Sequence, residues 1–142
     1  MPQFVPTVPR RDAIVTVHYF EYAKNYVFEG EKHDFWELLY VDKGEVEVMA
    51  DSTGYRLRQG VMIFHKPDEF HNVFANGVVA PNLVVVSFVC RSAAMSYFEG
   101  KILRLDGDER ALLSRLVAEA RDAFASPLDD PRTVQMVRAS SS

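Results

Sequence analysis

Short apolar and aromatic runs separated by turn-forming residues fill the sequence from Asp12 to Val89. The interruptions are rich in glycine, proline, asparagine and aspartate, and they recur at residues 29–31, 42–44, 51–54, 59–60, 66–68, 76–77 and 80–82. Many short strands at this spacing are typical of a β-sandwich or barrel. The pattern predicts strands over 14–22, 26–29, 34–42, 44–51, 54–58, 61–65, 71–76 and 83–90, with a further short extended piece at 101–105. Eight strands are the number needed for a double-sheet jelly roll.

One amphipathic helix is predicted after the strands, over about 108–125. Its apolar residues recur every three or four positions, at Leu112, Leu113, Leu116, Val117, Ala120 and Phe124. Asp106 followed by Glu109 resembles a capping box at its start. Such a helix must cover the outside of its own barrel, pair with a second subunit, or do both.

The chain therefore divides into four predicted parts. Residues 1–12 form an extended arm with three prolines, 13–105 the β-barrel, 106–126 the helix, and 127–142 a tail. The tail reads as a truncated linker or as the start of a second helix near Thr133–Arg138.

Composition narrows the class of protein. A length of 142 residues fits one domain, and 16 Lys and Arg against 20 Asp and Glu argue against a nucleic-acid module, which needs a basic face. Cys90 is the single cysteine, so no intrachain disulfide is possible. No secretory signal pattern is visible, and the longest apolar run, Leu83–Val89, is too short to span a membrane. The sequence predicts a cytoplasmic protein.

The stretch from Gly30 to Gly44 carries the first candidate chemistry. On one extended strand, side chains alternate between the two faces. That alternation predicts a first face made of Glu31, His33, Phe35, Glu37, Leu39 and Val41, and a second made of Trp36, Leu38 and Tyr40. A histidine and a glutamate among large apolar residues need a reason, because an unpaired buried charge is costly.

A second stretch, from Gly60 to Val73, supplies another histidine. A glycine turn leads into an apolar strand, Pro67 ends it, and a new strand begins at His71. His71, Val73 and Ala75 then share a face.

These two stretches resemble the two motifs of the cupin superfamily. In the first motif His33 fits the second histidine, Glu37 the glutamate and Gly44 the glycine, while Glu31 replaces the first histidine.

In the second motif Gly60, Pro67 and His71 match the glycine, proline and histidine. Asp68 and Glu69 stand where a glycine is expected, and the interval from Pro67 to His71 is one residue short.

The pattern is similar, more specifically, to the N-terminal sensing domain of AraC-type transcription regulators. The positions that match are His33, Phe35, Glu37, Leu38, Tyr40, Val41, Gly44, Leu57, Gly60, Pro67 and His71. The resemblance runs from about Ile14 to Phe124 and includes the trailing helix.

The resemblance implies a cupin double-stranded β-helix that binds a small-molecule effector such as a sugar and forms a homodimer through helices after the barrel. Ligand in the barrel would then change how an attached DNA reader is presented. A helix-turn-helix half is expected to be missing, since sixteen residues follow Ser126. The resemblance implies a sensor domain and not an enzyme. Its expected ligand-binding residues are His33, Phe35, Glu37, Leu39 and His71.

Other readings stay open at this point. His33, Glu37 and His71 suit a divalent metal, with Glu31 as a potential fourth ligand, which would fit a free-standing metal-dependent oxygenase or isomerase. A structural alternative is that Glu37 and a histidine only satisfy each other's hydrogen bonds inside a packed barrel. A further alternative is a domain that only pairs with other subunits. His18 and His65 are weaker candidates, the first because its strand lies near an edge, the second because it ends a strand beside Lys66, where solvent is expected.

Overall fold

A computed structural model describes residues 12–124 and 127–129. The strands are β1 (Ala13–Glu21), β2 (Val27–Glu31), β3 (Trp36–Lys43), β4 (Glu45–Ala50), β5 (Thr53–Arg58), β6 (Val61–His65), β7 (His71–Ala75), β8 (Asn82–Val89) and β9 (Ile102–Arg104). A 3-10 helix spans Ala93–Phe98, and α1 spans Gly107–Ala123. The predicted arm before Asp12 and the predicted second helix lie outside the described residues.

The strands form two antiparallel sheets, ordered β1-β8-β3-β6-β9 and β2-β7-β4-β5. The predicted mainly-β jelly roll with one C-terminal helix is confirmed. Alternation along β3 explains the two-sided burial. Leu39 and Val41 join an apolar interior with Val46, Val48, Leu57, Ile63, Val73 and Leu83. Trp36 and Tyr40 lie on the other face of β3, as predicted, and are covered by α1.

Helix α1 packs on the outer face of the five-stranded sheet. Leu113, Val117 and Ala120 are buried in the same cluster as Trp36 and Tyr40. The capping box at Asp106 and Glu109 is present, with both reciprocal hydrogen bonds formed. The helix therefore covers its own barrel.

Leu112 was expected in this apolar stripe, but its side chain is 63% exposed. It precedes the buried Leu113, and one residue turns an α-helix by about 100°. Leu112 therefore lies at the rim of the packed face.

The single face predicted to run from Glu31 to Val41 is corrected by the structure, because residues 31–41 do not lie on one strand. Glu31 ends β2 in the four-stranded sheet, and the chain crosses over residues 32–35 before β3 begins in the five-stranded sheet. Gly30 permits the crossing: its φ is 131°, and an added Cβ would lie 2.2 Å from the Phe70 ring. Glu31 and Glu37 therefore come from different sheets.

Within the part of the chain that the structure describes, no helix combines the length and apolarity that a membrane crossing needs.

Candidate functional site

Four polar side chains converge at one end of the barrel interior, and we call them the His/Glu cluster: Glu31, His33, Glu37 and His71. One donor atom from each lies within 4.8 Å of all the others. Three of the four residues are buried, while the side chain of Glu31 is 33% exposed. Residues from both sheets thus meet across the barrel: Glu31, His33 and Glu37, which were predicted to share one strand face, and His71, which was predicted on another strand.

Glu37 is the centre of the cluster. Its carboxylate oxygens lie 3.0 Å from His71 Nε2 and 3.6 Å from His33 Nε2, and the Ser87 hydroxyl donates to Oε1 at 3.3 Å. Glu31 Oε1 is farther from the same two rings, at 3.7 Å from His71 Nε2 and 3.9 Å from His33 Nε2. These are ion-pair distances. His33 Nε2 nevertheless lacks a partner in hydrogen-bond geometry among the described residues, whereas His71 Nε2 is held by its ion pair with Glu37.

The Glu37–His71 pair shifts the titration of both groups. Burial alone would raise the pKa of Glu37, but His71 and His33 hold that pKa well below its ordinary value. Burial alone would lower the pKa of His71, but the Glu37 and Glu31 carboxylates raise it to about 11. Without a bound cation, the pair is therefore a carboxylate facing an imidazolium.

Each ring of the cluster is held through its other nitrogen. His33 Nδ1 lies 2.9 Å from the Phe35 carbonyl oxygen, and His71 Nδ1 lies 3.1 Å from the Glu69 carbonyl oxygen. A carbonyl only accepts hydrogen bonds, so both Nδ1 atoms carry a proton and donate it. This arrangement fixes both rings; it leaves Nε2 of His33 available to a ligand, while Nε2 of the His71 imidazolium faces Glu37.

The loop between β6 and β7 explains the irregular second motif. Asp68 has φ 65°, in the left-handed region that favours glycine. It therefore adopts the backbone conformation expected of the glycine that the motif lacks. Its N–H donates to the His33 carbonyl at 2.7 Å, and the carbonyl of the next residue, Glu69, accepts from His71. The loop therefore positions histidines from both motifs.

His65 was predicted to meet solvent, and that prediction is wrong. The residue is 1% exposed, and its Nδ1 lies 3.0 Å from the carboxylate of Glu69, which is itself 6% exposed. The two side chains pair with each other at the strand end, and both are shielded from water. Glu69 was missed as a functional candidate, although its position four residues after His65 and two before His71 was a usable signal.

The remaining candidates lie around the cluster. Phe35 stacks on His33, with ring centroids 3.9 Å apart, and Leu39 is buried farther along β3 in the apolar interior. His18 is buried on the edge strand β1, where its Nδ1 lies 3.0 Å from the Leu128 carbonyl oxygen.

Comparisons with known proteins agree with this architecture. The profile of the AraC-like ligand binding domain matches residues 14–137. No curated protein sequence matches the chain.

Three solved structures illustrate the likeness of fold. Apo ToxT from Vibrio cholerae aligns with a TM-score of 0.51 and 10% identity, over 80% of this chain and 49% of that one. A cupin 2 conserved barrel protein from Rhodopseudomonas palustris gives 0.47 and 19%, over 71% and 66%. The Cnp3 cupin domain of Schizosaccharomyces pombe gives 0.46 and 11%, over 57% and 55%. The chain thus spans about half the length of the matched ToxT and Cnp3 structures.

Proposed function

Because the chain belongs to the family of AraC-like ligand binding domains, we propose that it binds a small-molecule effector inside the barrel, at the His/Glu cluster. The observation that carries this proposal is the buried Nε2 of His33, which lacks a hydrogen-bond partner among the described residues although it lies beside the Glu37 carboxylate. Buried polar atoms in folded proteins are nearly always paired, so unpaired ones around a carboxylate indicate a place for a ligand.

The chemistry of the cluster suits a sugar or another polyol. The carboxylates of Glu31 and Glu37 accept hydrogen bonds, and a neutral imidazole accepts at Nε2 when Nδ1 holds the proton. Phe35 and Leu39 supply apolar surface beside these groups, which suits the carbon face of a sugar ring.

Two grooves outside the barrel are weaker sites. They lie along α1, share Tyr19, Glu21 and Arg121, and enclose about 620 and 400 Å³. Glu21 and Arg121 are exposed there, so water already satisfies their charges. The buried His/Glu cluster is therefore the stronger candidate for the effector site than either groove.

A divalent metal is a second candidate occupant, favoured by the close grouping of the four donor atoms. Two imidazoles and two carboxylates suit Fe(II), Mn(II) or Zn(II), and rings held at Nδ1 by carbonyls are typical of metal ligands. Glu31, His33, Glu37 and His71 would hold the ion. A bound metal would supply a Lewis acid, either to anchor an effector or to serve a cupin enzyme.

The metal test is direct. We would measure metal by mass spectrometry in purified protein after dialysis against Mn²⁺, Fe²⁺ or Zn²⁺, and repeat it for His33→Ala and Glu37→Ala. Glu47→Ala is the matched control, because the Glu47 side chain is 57% exposed. Stoichiometric metal that is lost in the two cluster variants and kept in the control would establish the metal centre.

The effector test uses metal-free protein and a set of aldoses, alditols and hydroxy acids. A ligand at 100 times its Kd stabilises the fold by about 2.7 kcal/mol, which a thermal melt detects. We expect stabilisation by members of this set in the wild type and in Glu47→Ala, and its loss in His33→Ala. If no compound raises the melting temperature, the effector proposal fails.

We extend the proposal to the regulator context implied by the family. The parts would be an arm (1–12), a barrel (13–105), a helix (106–126) and a tail (127–142). Together they would act in the cytoplasm as a non-enzymatic sensor. The DNA contacts would be made by another region of a longer protein. The exposed Leu112 on α1 supports pairing with a second subunit. Light scattering of the wild type and Leu112→Glu tests it: a dimer that the substitution dissociates is the expected result, and a wild-type monomer contradicts it.

A further inference from the structure

A second buried pair, His65 and Glu69, lies directly beside the His/Glu cluster. His65 is opposite Glu37 in the β3–β6 register, and its ring stacks on that of His71 with centroids 4.6 Å apart and planes 16° apart. Side chains opposite each other on neighbouring strands point to the same face of the sheet. The pair therefore shares the polar end of the barrel interior with the cluster.

Packing does not account for His65. Its Nδ1 is satisfied by Glu69, but its Nε2 is buried and lacks a hydrogen-bond partner among the described residues. Leaving a buried polar atom unpaired lowers the stability of a fold. Two residues earlier on the same face, Ile63 fills its place with no such cost. An imidazole is justified at position 65 only if something binds its free nitrogen.

Glu69 determines what that nitrogen can do. A carboxylate accepts hydrogen bonds, so Nδ1 of His65 donates the proton. In the neutral ring a proton on Nδ1 leaves a lone pair on Nε2, which accepts. Glu69 also holds His71, through its backbone carbonyl. One residue thus orients two rings, by its side chain and its main chain.

The resulting wall is rich in acceptors and in negative charge. Glu31, Glu37 and Glu69 supply carboxylates, and His33 and His65 each offer an accepting Nε2 because their Nδ1–H donates to a protein acceptor. Such a wall pairs with hydroxyl or ammonium donors and repels a carboxylate or phosphate.

We propose that His65, oriented by Glu69, is a further ligand-binding residue, and that the site selects a hydroxyl-rich ligand without negative charge and rejects an anionic one. This inference rests on the proposed effector function and names the chemical class of that effector. Glu69 is a positioning residue in it, because it acts through His65.

The first experiment reads the rings themselves. The chain has four histidines, so long-range ¹H–¹⁵N NMR of metal-free protein resolves each ring and reports which nitrogen holds the proton. We expect the Nδ1–H form at His65 in the wild type, its loss in Glu69→Ala, and its recovery in Glu69→Gln, whose amide oxygen still accepts. His71 keeps its backbone partner in all three proteins and is the internal control. A proton on Nε2 of wild-type His65 overturns the inference.

The second experiment titrates three probes that share one ring: D-glucose, D-glucosamine and D-glucuronate. Glucose and glucosamine are expected to shift the Nε2 signal of His65 together with those of His33 and His71, while glucuronate leaves them unchanged. His18, three strands away in the same sheet, is the control ring. In His65→Leu, which retains an apolar side chain of buried size, the affinity for glucose should fall roughly 3–10-fold, the value of one hydrogen bond.

The outcomes separate this inference from the proposed function. Shifts at His33 and His71 without one at His65, or unchanged affinity in His65→Leu, leave the effector site standing and overturn the role of His65. Binding of glucuronate as tight as that of glucose overturns the selection against anions. If no ring responds to any probe, both the inference and the polyol effector fail.

Discussion

The two ends of the barrel interior differ in the chemistry of their inward-facing side chains. On each of β3, β6 and β7, an inward-facing polar residue lies two positions from an inward-facing apolar residue. The polar residues lie at one end of the barrel interior and the apolar residues at the other. The pairs are Glu37 and Leu39, His65 and Ile63, and His71 and Val73. The same three strands thus build an apolar half and a polar half.

The two halves make opposite contributions to stability. In the apolar half every buried side chain gains from leaving water, at about 25 cal/mol per Å². In the polar half, buried charges lose their hydration, and Nε2 of His33 and Nε2 of His65 remain without a hydrogen-bond partner among the described residues. The apolar half therefore stabilises the fold, whereas the polar half lowers its stability. A region that lowers stability in this way is typical of a binding site.

The largest expected effect comes from opening a cavity in the apolar half. Leu57 is 1% exposed, so Leu57→Ala should lower the free energy of unfolding by about 2–5 kcal/mol in urea denaturation. Val78→Ala shortens an apolar side chain that is 77% exposed and should stay within about 0.5 kcal/mol of the wild type. Equal losses in the two variants would contradict the picture of a tightly packed apolar half.

The next effect is a pH dependence that belongs to the polar half. The pKa of His71 rises on folding from 6.5 to about 11, so its contribution is complete below pH 6.5 and is lost as the pH rises toward 11. Glu37 has the opposite sign: its pKa is lowered, so its contribution is present above its ordinary value of 4.5 and is lost in acid. The free energy of unfolding of metal-free protein should therefore be greatest between pH 4.5 and pH 6.5.

Urea titrations at several pH values measure this dependence. From pH 6.5 upward, the free energy of unfolding should fall by at most about 1.4 kcal/mol per pH unit. The double variant Glu37→Gln with His71→Asn should lose this slope, and Leu57→Ala should keep it. A double variant with the wild-type slope would assign the pH dependence to other groups.

A smaller effect is expected in the loop that holds the rings. Asp68 has φ 65°, which a β-branched residue adopts poorly, so Asp68→Val should cost about 1–2 kcal/mol. Asp68→Gly, the matched control, should remain within about 0.5 kcal/mol of the wild type, because glycine adopts this conformation freely. If both variants behave alike, backbone conformation at this position does not matter to the polar half.

The sequence predicted the apolar half better than the polar half. The predicted strands and α1 lie within two residues of the observed ones, because alternation and turn residues are local signals. The cluster residues His33, Glu37 and His71 were also identified, since motif spacing is local too.

What the sequence missed depends on the path of the chain between the sheets. The crossing after Gly30 moved Glu31 to the other sheet, and the turn at Asp68 buried His65 under Glu69. Both depend on backbone conformation at single residues and on contacts across the barrel, which periodicity along one strand does not report.

The smallest expected effect tests what holds Glu37 in the polar half. Ser87 is 5% exposed and donates to Glu37 Oε1 at 3.3 Å, a long distance for a hydroxyl donor. Ser87→Ala should therefore cost only about 0.5–1 kcal/mol in urea denaturation. Ser114→Ala, at an exposed position of α1, should change stability by less than about 0.5 kcal/mol. A loss in Ser87→Ala above about 2 kcal/mol would mean that Glu37 depends on the hydroxyl more than on the two rings. The polar half would then be held by the protein's own hydrogen bonds and would have less need of a ligand.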